Sequence, residues 1–379
     1  MPCSVKLLNM VKVGINGFGR IGRIAFRIGV LKHLDEIEFV AINTSGSMPV
    51  GGWAHLTNYD TMYRTFQYKV LGNDLKDPKE ATDEDPLIGE LSIPERNVKV
   101  PVLAQKDPVK IPWGKYGVDV VIESTGVFTK EEDAKKHAVG GAKKVVISAP
   151  VKGGNVSTYI IGVNEADNLP QIISNSSCTT NCVAPVASVM ESKFGIQKAL
   201  MTTIHSYTDD QNLQDSSHKD LRRARAAAQN IIPTSTGAAI STTETIPALK
   251  GLFDGASLRV PTTTGSITDF TLLLKRDATM EEINNAFKEA VENPLYKGII
   301  AVTEEPLVSS DVIGRSESAI VDLSLTQVVA GNLVKIFAWY DNEWGYANRL
   351  VEQVIRVGRT LNGNKAPTDP ISLSFASSH

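Results

Sequence analysis

Apolar residues stand at positions 11, 13 and 15, give way to glycines, and resume as a stripe through IAFRIGVLKHL. A short apolar run followed by helical spacing predicts a buried strand feeding an amphipathic helix. Residues 37–42 predict a second strand. From 59 to about 102 the alternation is broken by Gly and Pro, which predicts hairpins or a meander. Residues 118–126 form another buried run ending in small residues, and TKEEDAKKHAVGGA, acidic at its start and basic at its end, predicts a helix oriented with its dipole. A further strand is expected at 143–150. Strands alternating with helices specify an α/β fold with a parallel sheet whose ligands lie at the strand carboxyl ends. Beyond QIIS, a helix is expected through Val183, Val186, Val189, Met190 and Phe194, capped by Gly195. Pro185 should sit near its first turns or bend it. A strand at 199–205 follows. Long alternating runs at 258–275 and 318–340 predict a mostly antiparallel sheet, and YDNEWGYANRLVEQVIRVGR closes on an amphipathic helix.

Composition narrows this picture. At 379 residues the chain has room for two domains, or three at most. A formal charge of −3 gives no general attraction to nucleic acid or an anionic membrane. Three cysteines, Cys3, Cys178 and Cys182, make no disulfide framework and no CxxC zinc pair, so no metal is expected and the thiols suit a reducing compartment. The start of the chain shows no signal-peptide pattern and no apolar run is long enough to span a bilayer, so a cytoplasmic location is expected.

Three stretches carry chemistry. Gly17, Gly19 and Gly22 spell G-x-G-x-x-G between strand and helix, the pattern of a tight turn that admits a pyrophosphate. Arg20 could face that phosphate or simply be a solvated arginine. The acid that usually bonds the ribose hydroxyls after the second strand is absent: the sequence there is Asn43-Thr44-Ser45. Thr and Ser tolerate an extra phosphate that an acid would repel; alternatively Asn43 or Thr44 bonds the ribose of plain NAD. Cys178 stands in SNSSCTTNC at a helix start, where backbone N–H groups and the dipole favour thiolate. His205 ends a strand 27 positions later, and one helix out and one strand back can return it to the cysteine as a base. A long loop at 206–233 carries Arg222, Arg223 and Arg225, candidates for an anionic substrate or for solvated ion pairs. Thr236 and Gly237 follow in a hydroxyl-glycine patch suited to phosphate or to helix capping.

Taken together, INGFGRIGR, ESTGVFT, SNSSCTTNC, HSYT, DLRRARAAAQNIIPTSTGAA, LRVPT and WYDNEWGYANRLV, in that order, resemble phosphorylating glyceraldehyde-3-phosphate dehydrogenases from about Lys12 to Leu361. The resemblance implies a Rossmann-type NAD(P)-binding domain at 1–177, joined by a C-terminal helix at about 345–361. It also implies an α+β catalytic domain at 178–344, a tail at 362–379, and a homotetramer. Carried over by position, Cys178 is the nucleophile toward glyceraldehyde 3-phosphate and His205 its base. Gly17, Phe18, Gly19, Arg20, Ile21 and Gly22 form the pyrophosphate turn. Thr125, Gly126 and Ser148 line the cofactor cleft, while Asn342, with Tyr346 close by, orients the nicotinamide. Thr208 and Arg259, with Arg223 near, match the substrate-phosphate site. Ser177, Thr179, Thr236 and Gly237 match the site of attacking inorganic phosphate, and Cys182 is expected to be a packed core thiol.

The departures from the family pattern concern the cofactor and the loops. Asn43-Thr44 replaces the usual Asn-Asp, and Ser216-Ser217 replaces the Leu-Pro of many NAD-only members, so Thr44 and Ser217 lean toward NADP with residual NAD use. Lys106 stands where an arginine often meets the adenine side. Residues 73–86 exceed the usual length by roughly a dozen and are expected to form an extended hairpin loop. Residues 262–266 should differ in loop path without altering the chemistry. The rival readings are an erythrose-4-phosphate dehydrogenase and, from another class, a binding or moonlighting protein.

Overall fold

The computed structural model describes residues 10–166 and 168–361; the start of the chain and the tail at 362–379 lie outside the described residues. In the first half, β1 (Val11–Asn16), α1 (Arg20–Lys32) and β2 (Ile37–Thr44) follow the predicted order. Then come α2 (Val50–Asn58), the small hairpin β3 (Tyr59–Asp60) and β4 (Arg64–Thr65), and the meander β5 (Leu71–Asp74), β6 (Leu87–Ile93) and β7 (Val98–Ala104). β8 (Val120–Glu123), α3 (Glu131–Val139), β9 (Lys144–Ile147) and β10 (Ile172–Ser174) complete this half. Its sheet runs β10-β9-β8-β1-β2-β7-β6-β5, parallel from β10 to β7 and antiparallel over the last two strands. The extended hairpin loop is present: β5 and β6 pair antiparallel across residues 75–86.

The second half starts with α4 (Cys178–Phe194), β11 (Ile196–Ser206), β12 (Ile232–Thr234), α5 (Ala238–Thr245) and β13 (Phe253–Val260). It continues with β14 (Ser266–Leu274), α6 (Met280–Glu292), β15 (Ile300–Thr303), β16 (Ala319–Asp322), β17 (Gln327–Val329) and β18 (Leu333–Tyr340). The sheet order is β12-β13-β11-β14-β18-β16-β15, with β17 on β18. Most pairs are antiparallel, but β11/β13 and β15/β16 are parallel. The connection from β11 to β13 passes through α5, and a crossover of that kind delivers a parallel strand. Last, α7 (Trp344–Thr360) returns to the first half. Its Leu350, Val351, Val354 and Ile355 share one core with Val11, Val13 and Ile15 of β1.

Two local expectations failed for physical reasons. No helix was read at α2, whose VGGWAHLTN carries two glycines and little propensity. Burial of Val50, Trp53 and Ala54, with Trp53 edge-on to Phe18 at 5.9 Å, supplies what propensity does not. Pro185 is the eighth residue of α4, well past the first turn, and the helix continues to Gly195, whose φ of 69° ends it as anticipated.

The glycine turn depends on close approach of two backbone segments. Gly17 has φ 94°, and a Cβ there would lie 2.7 Å from the Thr125 backbone nitrogen. At Gly22 a Cβ would lie 2.2 Å from the Gly17 carbonyl oxygen, which is backbone and cannot rotate away. Gly22→Ala is therefore expected to cost about 1–3 kcal/mol and to lower the thermal midpoint; an unchanged melting curve would contradict this packing.

Candidate active site

The glycine turn opens onto a cleft of about 370 Å³ at the carboxyl ends of β1, β2 and β8, lined by Asn16, Phe18, Ser45, Gln105, Lys106 and Thr125 among others. α1 begins there with no side-chain cap and no acid in its first turn, so its leading N–H groups remain donors for an anion. A Cβ on Gly19 would meet nothing within 4 Å, which leaves room beside the turn. An uncapped helix start, an open glycine and a cleft beside both fit a dinucleotide. Thr44 is in the lining, and Gly126, with φ 72°, adjoins Thr125 in an exposed turn.

Several side chains expected to touch the cofactor are committed elsewhere. Arg20 does not face a phosphate: it is paired with Asp60 at 2.9 Å and Glu343 at 2.5 Å. Burial pulls its pKa down, but the two carboxylates outweigh burial and raise it. Asn43 spends both amide hydrogens on Asn16 Oδ1 and Gln105 O and accepts from Gln105 N, so it has no donor left for a ribose. The Thr44 hydroxyl donates to Leu103 O and accepts from Gly46 N, which leaves no proton for a phosphate. Ser45 and Lys106 are the exposed polar side chains on that wall. Ser217 is exposed in the long loop after β11 and does not line this cleft. Ile21 and Gly22 lie behind the turn, packed toward the sheet, and Ser148 is half-buried past the end of β9.

Asn342 and Tyr346 stand at the junction of the two halves. The Asn342 Oδ1 accepts from Gly265 N at 3.1 Å, Ser266 Oγ at 3.0 Å and Thr264 Oγ1 at 3.2 Å, so only its N–H₂ is free to meet a ligand. The variant 262–266 segment thus acts as the clamp on this amide. The Tyr346 hydroxyl donates to Ser176 O at 2.9 Å. Ser176, at φ 54°, is a non-glycine residue in the left-handed region two positions before the cysteine.

Cys178 is the first residue of α4, and Ser177 caps that helix, accepting from Thr180 N at 3.1 Å. Cys178 Sγ lies 3.3 Å from His205 Nε2. His205 Nδ1 lies 2.7 Å from Ser206 O. A carbonyl only accepts, so the proton is on Nδ1 and the bare Nε2 faces the thiol. Burial pushes His205 down to about 3, with the Arg259 cation and then Arg223 adding to the effect against the Ser206 bond. Burial also pushes the Cys178 thiol up, against Arg259 and the bonds from Thr179. The expected thiolate stabilisation at the helix start is real in sign but loses to burial, and the resting pair is thiol and neutral imidazole.

Strand register explains the next neighbour. β11 and β13 run parallel with His205 opposite Arg259. Arg259 donates from Nη1 to Thr208 Oγ1 at 2.9 Å, while its buried Nε has no hydrogen-bond partner. Arg223 is held by Asp210 at 2.7 Å and Thr234 at 3.0 Å, and Arg225 forms an exposed pair with Asp215. Cys182 is fully buried in the second core, as expected.

The hydroxyls assigned to attacking phosphate are only partly available. Ser177 is the helix cap. Thr179 Oγ1 is buried against Tyr340 OH at 3.1 Å. Thr236 Oγ1 accepts from Ala238 N at 3.2 Å, which leaves its own proton free, and Gly237 is exposed. Tyr340 was not anticipated. Its hydroxyl is shared by Thr179 and Thr203, and its ring is edge-on to His205 at 6.0 Å between centroids. The only trace of it in the sequence is its place as an inward residue ending an alternating strand.

Comparison with known proteins gives the family. Residues 11–131 match the family model of the glyceraldehyde 3-phosphate dehydrogenase NAD binding domain, and residues 177–342 that of the C-terminal domain. A glyceraldehyde-3-phosphate dehydrogenase of Streptomyces coelicolor is 50% identical over 354 residues, covering 93% of this chain and 99% of that protein. Glyceraldehyde-3-phosphate dehydrogenase 1 of Bacillus cereus is 48% identical over 347 residues, covering 90% and 97%. The chloroplastic glyceraldehyde-3-phosphate dehydrogenase B of Pisum sativum is 47% identical over 366 residues, covering 95% and 76%. With both domain models matched and half of all positions identical across nearly the whole length of a bacterial relative, the chain belongs to the glyceraldehyde-3-phosphate dehydrogenase family.

Proposed function

We propose that the chain oxidises the aldehyde of glyceraldehyde 3-phosphate and passes the acyl group to inorganic phosphate, giving 1,3-bisphosphoglycerate. The observation that carries this reading is the 3.3 Å contact between Cys178 Sγ and the unprotonated Nε2 of His205. Cys178 Sγ bonds to the aldehyde carbon while its proton moves to Nε2 and on to the carbonyl oxygen, giving a thiohemiacetal. The dinucleotide, when bound, supplies the acceptor for the hydride this carbon then loses. His205 takes the hydroxyl proton, leaving a thioester on Cys178. A phosphate oxygen attacks that carbonyl, the C–S bond breaks, and His205 returns the proton to sulfur.

Arg259 and Thr208 hold the substrate phosphate in this reading, since the unpartnered Arg259 Nε is a buried donor awaiting an acceptor. An anion there also offsets the cation that depresses His205, making the imidazole a better base once substrate is bound. Thr236 and Gly237 receive the attacking phosphate, while Ser177 and Thr179 shape the helix start. On the cofactor side, the cleft has no acid after β2, and it has Ser45 and Lys106 exposed, which favours NADP use alongside NAD. Ser217 belongs to an exposed loop and could meet a nucleotide only in a neighbouring copy.

A homotetramer is consistent with Leu200, Leu213, Leu221, Ile231 and Ile240, each more than 60% exposed on the catalytic half. No helix among the described residues is long and apolar enough to cross a membrane. A cytoplasmic location is our reading, because a catalytic thiol needs a reducing compartment. The test is a steady-state assay with glyceraldehyde 3-phosphate, phosphate, and NAD against NADP. The expected result is a phosphate-dependent rate with both nucleotides. A phosphate-independent rate would sink the phosphorolysis step, and an NAD preference of about a hundredfold or more would sink NADP use.

A further inference from the structure

Beneath the nucleotide cleft lies a row of buried polar side chains that the chemistry above does not use. Glu123, at the end of β8, is 2% exposed, and His137 of α3 is fully buried. Trp113 Nε1 lies 3.0 Å from His137 Nδ1. An indole N–H only donates, so Nδ1 is the acceptor and the His137 proton sits on Nε2. That Nε2–H donates to Glu123 Oε2 at 2.9 Å. Asn16 Nδ2 donates to the same oxygen at 2.6 Å, and the other oxygen accepts from the Thr125 backbone N–H at 2.8 Å and from the Thr125 hydroxyl. All four partners are donors, a pattern only an acceptor satisfies. From Asn16 the row continues: its Oδ1 accepts from Asn43, whose amide is doubly bonded to the Gln105 backbone.

The row crosses the carboxyl ends of β8, β1, β2 and β7, four neighbours in the sheet. In register, Asn16 stands opposite both Glu123 and Asn43. Three of its members, Asn16, Asn43 and Gln105, line the cleft, and so does Thr125. Glu123 and His137 do not. They hold residues that do, and the carboxylate is the member that receives most of the donors.

We propose that Glu123, oriented by His137, is a positioning residue for the dinucleotide: it fixes Thr125 and Asn16 so that the floor of the cleft is formed before the nucleotide arrives. This rests on the reading of the cleft as the NAD(P) site. The mechanism is preorganisation, in which ordering is met during folding instead of during binding. Glu123→Gln keeps the shape but replaces one acceptor by N–H₂. Whichever way the new amide turns, a donor faces either Thr125 or the Asn16–His137 pair. His137→Leu removes one donor from the carboxylate, whereas His137→Gln can still donate to Glu123 and accept from Trp113.

The test is the equilibrium dissociation constant of NAD and of NADP for the full chain by titration calorimetry, alongside KM, kcat and the thermal midpoint. The expected result is a rise of about tenfold in the dissociation constant for Glu123→Gln and for His137→Leu. KM should rise with it, kcat should move far less, and His137→Gln should stay near the parent. An unchanged dissociation constant in Glu123→Gln or His137→Leu would overturn the proposal, as would His137→Gln weakening binding as much as His137→Leu. If Glu123→Gln does not fold, the two His137 variants decide the matter. Failure of the parent chain to bind either nucleotide would instead remove the reading of the cleft.

Discussion

Cys178→Ser is expected to lower kcat by about 10⁴-fold or more with the fold intact. The position demands a group that is both nucleophile and acyl leaving group, and an alcohol is poor at the first without a strong base. His205 is no such base, because burial and the Arg259 cation hold it at about 3 in the resting site. A thiol, even one pushed up by burial, sits far closer to ionisation than a serine hydroxyl. Cys178 is also half-buried and the exchange of sulfur for oxygen is small, so the substitution removes little packing. The measurement is kcat in the phosphate-dependent assay, paired with the melting curve. Activity within tenfold of the parent would end the role of Cys178 as nucleophile.

His205→Asn is expected to cost about 10²–10⁴ in kcat at neutral pH, and the deficit should shrink as pH rises. The thiol pKa is raised, so the thiol form dominates at neutral pH and needs a base. With the imidazole gone, hydroxide must remove that proton, and the reactive fraction climbs with pH through and beyond the ordinary thiol range. The rate of Cys178 alkylation by iodoacetamide, followed against pH, reports this directly. The variant should show the steeper climb. A variant as reactive as the parent at neutral pH would mean that Nε2 takes no proton from Sγ.

The regular elements were legible because burial and periodicity coincide. β1, α1, β8, α4 and α7 each place apolar residues where the sheet or helix geometry needs them. The Cys178–His205 pair was legible for the same reason, since a helix and a returning strand are the shortest route back to one point. The fates of Arg20, Asn43 and Thr44 were not. Each is decided by a partner 40 to 323 positions away, Asp60 and Glu343 for Arg20, Gln105 for Asn43, Leu103 for Thr44. Nothing in local spacing announces such bonds. His137 shows the same limit: it sits in a helix read correctly from its acidic start and basic end, yet its meeting with Glu123 and Trp113 arises only once α3 docks on the sheet.

The return of α7 has a consequence for how the chain is made. β1 leaves the ribosome well ahead of the helix that covers it, which is encoded more than 300 residues later. Val11 even occupies the space a side chain at Gly358 would need. Until α7 emerges, Val11, Val13 and Ile15 lack their cover, and the second core closes little sooner, since β18 ends at Tyr340 just ahead of α7. The strand that leads into the glycine turn therefore stays without its full core until α7 is made.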